Sequence, residues 1–316
     1  MKILVADKFE DAGLAGLKAC GFDVVYSPDL KEESLRQELE AERPDGLVVR
    51  STVVGAEHMV DSLKLIVRAG AGYNTINVDA AKAKGIKVSN CPGKNADAVA
   101  ELTFGLILAL DRRIPDNVHQ LREGKWNKKE FGKARGLKGR TLGVVGFGNI
   151  GQCVARLGRA FGMRVLVYSG HASAAELREV GAEKADLDRL AAESDVVSVN
   201  CSLTSETRGL CGKGFFDKMK PGAFFVNTSR AEVVDQSALL AAIEAKGIRA
   251  GLDVFEGEPT SAEGEYDGEM RFVDRVYCTH HIGASTDQAQ DAVAAETVRI
   301  FEVFSKTGDA PNCVNF

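Results

Sequence analysis

Short apolar runs alternate with amphipathic stretches from the first residue of this chain. The runs at 3–6, 24–26, 46–49, 65–67 and 86–88 read as strands. Between them, 11–20, 32–42, 56–62 and 78–84 read as helices. A long helix is expected over about 97–124, then a polar, hairpin-like stretch over 125–140 that holds the single tryptophan, Trp126. A second series of strands follows at 141–145, 164–168, 195–199, 223–226, 249–252 and 275–278, and one last helix at 286–306. This rhythm predicts α/β architecture, with parallel sheets covered on both faces. The first five units make a complete small domain. A single terminal helix is too little for a third domain, so it is expected to return to the first. The expected organisation is a doubly wound domain at 98–282 inserted into a doubly wound domain made of 1–97 and 283–316.

The turn between the strand at 141–145 and the next helix reads Gly146-Phe147-Gly148-Asn149-Ile150-Gly151. A Gly-x-Gly-x-x-Gly pattern is weak alone. A strand before it, a helix after it and another strand at 164–168 make it a dinucleotide-binding turn. Gly146 permits the tight turn, Gly148 lets the backbone approach a pyrophosphate, and Gly151 lets helix and strand pack closely. The helix N-terminus then faces the anion.

Composition narrows the classes further. The net charge of −5 over 316 residues leaves no broad basic footprint, so nucleic acid is not an expected partner. The longest apolar region, 98–110, contains Glu101 and is too short to span a bilayer, so no membrane segment is expected. The N-terminal apolar run is too short for a signal peptide. Cys20, Cys91, Cys153, Cys201, Cys211, Cys278 and Cys313 are scattered and form no Cys-x-x-Cys pair. Reduced thiols in a cytoplasm are expected, rather than disulfides or a metal site.

Ligands of open parallel sheets sit at the carboxyl ends of the strands. Past 223–226 lies Asn227-Thr228-Ser229-Arg230. Past 249–252 lie Asp253, Glu256, Glu258 and Pro259. Past 275–278 lies Thr279-His280-His281-Ile282-Gly283. An arginine, a carboxylate and a histidine thus leave three strands toward one edge. Arginine can grip a carboxylate by its planar fork. Histidine can move a hydroxyl proton while a carboxylate orients it. The set suits carbonyl/alcohol interconversion with nicotinamide as the hydride carrier.

These motifs, with Arg68-Ala69-Gly70-Ala71-Gly72-Tyr73-Asn74 and Leu203-Thr204-Ser205-Glu206-Thr207-Arg208-Gly209, resemble the D-isomer-specific 2-hydroxyacid dehydrogenases nearly end to end. The resemblance implies a Rossmann cofactor domain inserted into a flavodoxin-like substrate domain, with a hinge that closes over the substrate. It implies that Arg230 binds the substrate's carboxylate and carbonyl, that His281 is the general acid/base and that Glu258 is its partner. Cofactor contacts are expected from Gly146, Phe147, Gly148, Asn149, Ile150, Gly151, Ser169, His171, Ser202, Thr207, Thr228, Asp253 (to the nicotinamide carboxamide) and Gly283. Substrate contacts are expected from Arg50, Ser51 and the amides around Ala71 and Gly72. Arg50, with Lys128, Lys129, Lys133 or Arg135, could meet a distal phosphate. Val49-Arg50-Ser51-Thr52, the stretch 279–286 and Asn312-Cys313-Val314-Asn315 resemble the branch that oxidises 3-phosphoglycerate in serine biosynthesis, in a short form without a C-terminal regulatory domain. A homodimer through 97–140 is also implied.

The sequence departs from the family's pattern at several positions. Ser169 stands where an acidic residue would bind the adenosine ribose about twenty residues after the glycines. His280 replaces the usual proline before the histidine, Ala231 the usual glycine after the arginine, and Ser202 a common proline. Serine at 169 and 202 resembles the NADPH-using glyoxylate/hydroxypyruvate reductases, yet no arginine or lysine stands in 169–175 to meet a 2′-phosphate. The expected cofactor is NAD, with NADP as the alternative. The rival from another class is a dinucleotide-sensing, corepressor-like protein. The functions of His58, His119 and His171 are expected to be mostly surface ones, with His171 also placed near the ribose.

Overall fold

The computed structural model describes residues 1–259 and 263–316. The chain divides into two compact units, 1–95 with 285–316, and 96–284. In the first unit the chain forms β1 (Lys2–Val5), α1 (Asp11–Ala19), β2 (Asp23–Tyr26), α2 (Glu32–Glu42), β3 (Gly46–Val49), β4 (Leu65–Arg68), α3 (Val78–Ala83) and β5 (Lys87–Asn90). The five strands pair in parallel, in the order β2-β1-β3-β4-β5, the flavodoxin-like arrangement. Apart from the edge strand β2, the strands are buried on both faces because an apolar cluster lies on each. One is built on Leu4, Leu35, Leu39, Leu47 and Ile66. The other is built on Ile3, Leu17, Val48, Ile300 and Phe301, the last two contributed by the chain's terminal helix.

The second unit contains α4 (Ala96–Arg112), α5 (Ile114–Arg122), α6 (Lys128–Phe131), β6 (Thr141–Val145), α7 (Asn149–Ala160), β7 (Arg164–Tyr168), α8 (Ala174–Glu179), β8 (Glu183–Lys184), α9 (Leu187–Glu193), β9 (Val196–Val199), α10 (Lys213–Lys218), β10 (Phe224–Asn227), α11 (Gln236–Lys246), β11 (Arg249–Leu252) and β12 (Val276–Cys278). The chain then returns to the first unit as α12 (Asp287–Thr307). The second sheet is parallel throughout, in the order β12-β11-β10-β9-β6-β7-β8. Chain direction across the sheet reverses between β6 and β9, the crevice where doubly wound sheets bind dinucleotides.

Strand register does more than order the sheet. Tyr168 pairs with Val145, Val145 with Val199, Val199 with Asn227, Asn227 with Leu252, and Leu252 with Cys278. Six strands therefore end in one row. The residues that follow, Ser169, Gly146, Asn200, Thr228, Asp253 and Thr279, begin the loops along a single edge.

Five expectations are corrected. The helix over 97–124 is two helices. Arg113 takes a left-handed conformation (φ +50°) between α4 and α5, and Pro115 stands at the start of α5. Proline lacks the N–H a continuing helix needs and its ring crowds the carbonyl four residues back, so the break belongs there. The stretch 125–140 is not a hairpin; it holds the short helix α6, whose start is capped by Asn127 accepting from the Glu130 N–H. The expected helix at 56–62 is only a 3₁₀ turn, Ala56–His58. The two-residue edge strand β8 has no counterpart among the expected strands.

His58 is likewise not a surface residue: it is 2% exposed. Its Nδ1 accepts from the Gly55 N–H at 2.9 Å, so the neutral ring must donate from Nε2 to the Glu32 carbonyl at 3.0 Å. It is a structural pin between the 3₁₀ turn and α2.

Candidate active site

The glycine turn begins the crevice between β6 and β9. Gly146 has φ +93°, and a Cβ there would lie 2.6 Å from the Cys201 nitrogen. A Cβ on Gly151 would collide with the Gly146 carbonyl oxygen. Gly148 differs: a Cβ there would meet nothing within 4 Å. Two glycines are thus required by the protein's own packing, while the third keeps the backbone bare toward open space. Above it stands the N-terminus of the twelve-residue helix α7, with Asn149 and Ile150 in its first turn. The turn fits the pyrophosphate of a dinucleotide on these grounds. Phe147 is buried and packs into the core under the turn. Cys201, just past the end of β9, lines it, and burial pushes its thiol up to about 11.

The neighbouring loops are braced by their own side chains. Ser169 Oγ accepts from the N–H groups of His171 and Ala172 at 3.3 and 3.2 Å, which leaves its own proton free to donate. His171 is exposed. Thr207 Oγ1 donates to the Ser202 carbonyl at 2.6 Å and accepts from the Thr204 N–H at 2.8 Å, so it folds the 202–207 loop.

At the end of β10, Asn227 staples the next turn. Its Oδ1 accepts from the Ser229 N–H (3.0 Å) and hydroxyl (2.8 Å), and its Nδ2 donates to the Arg230 carbonyl at 2.9 Å. The side chain of Arg230 is half-buried, with Nη1 donating to the Ser229 carbonyl at 2.7 Å. Thr228 is held from α4. The Thr103 hydroxyl gives its one proton to the Val99 carbonyl at 2.8 Å, so in its 2.9 Å contact with Thr228 the latter donates. Asn227 was missed as a site-building residue. Its signal was an Asx turn, an asparagine two residues before a serine at a strand end.

At the end of β11, Asp253 is 1% exposed and takes three donors from the loop after β12. Oδ1 accepts from the Thr279 hydroxyl (2.6 Å) and the Ile282 N–H (2.9 Å), and Oδ2 from the Gly283 N–H (2.8 Å). A Cβ on Gly283 would stand 3.0 Å from that same Oδ2. The clamp holds His281, which has φ +53°, a conformation rare outside glycine. His281 Nδ1 lies 2.9 Å from Glu258 Oε1, which leaves Nε2 as the outward nitrogen. Glu258 Oε2 is buried and has no hydrogen-bond partner among the described residues. His280 is exposed.

Arg50, Ser51, Ala71 and Gly72 lie in the first unit, at the ends of β3 and β4. Asp7, just past β1, fills the turn at Arg50. Its Oδ2 accepts from the N–H groups of Arg50 (2.6 Å), Ser51 (3.1 Å) and Thr52 (3.1 Å), and its Oδ1 from the Ser51 hydroxyl (3.1 Å). The Arg50 guanidinium donates to Gln290 Oε1 of α12 at 2.8 Å. Lys133 pairs with Glu130, and Lys128, Lys129 and Arg135 are exposed.

A glycine turn at the switch point of a parallel sheet, with Arg230 and the His281–Glu258 pair along the same edge, defines a nicotinamide-dinucleotide oxidoreductase fold. Residues 104–283 match the NAD binding domain of the D-isomer specific 2-hydroxyacid dehydrogenases, and the chain belongs to that family. It is 43% identical over 268 residues to hydroxypyruvate reductase of Thermotoga maritima, covering 84% of this chain and 85% of that one. It is 40% identical over 294 residues to D-3-phosphoglycerate dehydrogenase of Archaeoglobus fulgidus, covering 92% of this chain but only 54% of that relative's length. The chain thus spans about half of that longer relative. The NAD⁺-bound 3-phosphoglycerate dehydrogenase of Entamoeba histolytica superposes with a TM-score of 0.82 at 27% identity, over 100% of this chain and 99% of that one.

Proposed function

We propose that the chain interconverts a D-2-hydroxy acid and its 2-oxo acid with NAD, and that the acid is 3-phosphoglycerate. The observation that carries the reaction class is the 2.9 Å His281–Glu258 pair on the edge where the glycine turn opens. A bound nicotinamide supplies or accepts the hydride. His281 Nε2 takes the hydroxyl proton in oxidation and returns it in reduction. Glu258 orients the ring through Nδ1 and stabilises it when charged. Arg230 grips the carboxylate and the carbonyl oxygen, polarising the latter. The amides of Ala71 and Gly72 take the carboxylate from the first unit. The remaining cofactor contacts are proposed for Ser169, His171, Ser202, Thr207, Thr228, Asp253 and Gly283. In this reading the first unit binds substrate and the second binds cofactor.

A second substrate reading is hydroxypyruvate or glyoxylate. The filled turn at Arg50 favours it, since Asp7 already occupies the three main-chain donors and the Ser51 hydroxyl that a phosphate would use. That leaves the Arg50 guanidinium as the anion group of this turn. We further propose a cytoplasmic homodimer, built on the exposed face of α5.

One experiment tests the set. Rates are measured with 3-phosphoglycerate, glyoxylate, hydroxypyruvate and D-lactate, each with NAD(H) and NADP(H), in the feasible direction. Preference for 3-phosphoglycerate supports the first reading, and preference for the small 2-oxo acids supports the second. No turnover of any pair sinks the enzyme reading and favours a dinucleotide sensor.

A further inference from the structure

In the first unit, two consecutive main-chain amides have their direction set from a neighbouring strand. Gly70 follows β4 with φ +150°, a conformation open to glycine, and a Cβ there would run into the Arg68 guanidinium. The next two carbonyls both turn toward the end of β5. The Gly70 carbonyl accepts from the Cys91 N–H at 2.9 Å. The Ala71 carbonyl accepts from the Asn90 side-chain amide at 2.5 Å. In a trans peptide the C=O of one residue and the N–H of the next point in opposite directions. With both carbonyls held on β5, the N–H groups of Ala71 and Gly72 point together the other way. Neither meets an acceptor among the described residues.

The two peptides are not secured alike. The first is tied by a main-chain bond that almost any residue at 91 would make. The second is tied by one side chain, Asn90, itself 7% exposed at the end of β5. We infer that Asn90 is a positioning residue: it fixes the Ala71–Gly72 peptide so that the Gly72 N–H is presented to the substrate carboxylate. The inference rests on the reading of these amides as carboxylate ligands. A flipped peptide would put the Ala71 carbonyl oxygen where the anion sits and turn an attraction into a repulsion. The position needs a donor. A carboxylate at 90 is acceptor-only when ionised and would repel the carbonyl that asparagine holds. Asn90 is itself placed by pairing with Arg68 in the sheet and by the Asn312 side chain, which donates to its carbonyl at 3.2 Å.

The test uses the full chain and three variants: Asn90→Asp, Asn90→Ala and Gly72→Pro, the last deleting the N–H itself. KM and kcat for the preferred 2-oxo acid are read beside NADH affinity by fluorescence. Binding of oxamate to the NADH-loaded protein is read by calorimetry. A hydrogen bond to a charged group is worth about a tenfold to hundredfold change in affinity. All three variants are expected to raise KM and the oxamate Kd by that order, with kcat changed much less and NADH affinity unchanged. A general loss of structure would instead weaken NADH binding and lower kcat. Unchanged KM and oxamate binding in folded Asn90→Asp and Asn90→Ala, with Gly72→Pro impaired, overturns the role of Asn90 and leaves the carboxylate reading standing. An unaffected Gly72→Pro overturns the carboxylate reading of these amides, and the inference with it.

Discussion

His281 sits in a left-handed conformation that costs a non-glycine residue about 1 kcal/mol, and three hydrogen bonds to Asp253 hold the loop around it. Local strain kept in place by a buried carboxylate fits a side chain whose direction matters. His281→Ala is expected to lower kcat by about 10²–10⁴-fold while NADH binding stays nearly intact. His280→Ala, one residue earlier and exposed, is expected to cost far less. Steady-state rates with NADH titrations check both, and a dead His280 variant would reassign the proton to the other ring. Ser169 carries a second expectation at this scale. Its hydroxyl is fixed by two loop amides but keeps its proton, so it can donate to a ribose hydroxyl or to a 2′-phosphate and rejects neither. Ser169→Asp adds a charge facing the 2′-position and should cut kcat/KM with NADP relative to NAD by at least about tenfold. An unchanged ratio would show that position 169 does not face the ribose. The residue types of this edge were legible in the sequence, because strand ends and turn residues mark themselves. Their bracing was not. Thr103 and Asp7 act through contacts that span 125 and 43 positions, and no periodicity announces such a bond.

At the scale of elements, β8 shows what pattern reading loses. Two exposed residues, Glu183 and Lys184, have no apolar alternation to betray a strand. What accompanies the pairing on β7 is a charge network. Arg164 of β7 makes ion pairs with Glu183 (2.8 Å) and Glu193 (2.8 Å), and Arg189 of α9 reaches the same two carboxylates. The hydrogen bonds from Arg164, then those from Arg189, hold the Glu183 carboxyl down at about 2. A lowered folded-state pKa gives stability that is present above the ordinary 4.5 and is lost as pH falls toward 2. The group is exposed, so the contribution is small and weakens with salt. Glu183→Gln should therefore be slightly less stable than wild type at pH 7. The gap should narrow as the pH is lowered from 4.5 toward 2, where the native carboxyl also becomes protonated. Urea unfolding across that range reads it, and a gap that is constant with pH would mean the network contributes nothing. The buried strands before and after β8 in the chain, β7 and β9, were legible because parallel strands covered on both faces are continuous apolar runs. The break at Arg113 was legible only in Pro115, a local signal outweighed by the long apolar periodicity of α4.

For the whole molecule, the feature left over after both cores are built is the surface of α5. Ile114, Val118 and Leu121 recur at helical spacing and are 48%, 43% and 55% exposed, and Trp126 just beyond is 81% exposed. No residue of this helix is buried. An amphipathic helix normally turns its apolar stripe inward. Here the stripe faces solvent, while Arg113 at the helix start is tied to Asp116 and Glu130. Scattered apolar residues on a surface need no explanation, but an aligned stripe beside an exposed tryptophan does. A second copy of the chain is the proposed cover, and a two-fold interface would let α5 meet its own counterpart. Light scattering of the purified protein should then give the mass of two chains. The double variant Val118→Glu/Leu121→Glu puts like charges at a self-paired face. It should give the mass of one chain and keep the NADH affinity of the second unit. A monomer in the wild type would refute the proposal outright. A dimer untouched by the double variant would move the interface elsewhere and leave the stripe on α5 without an occupant.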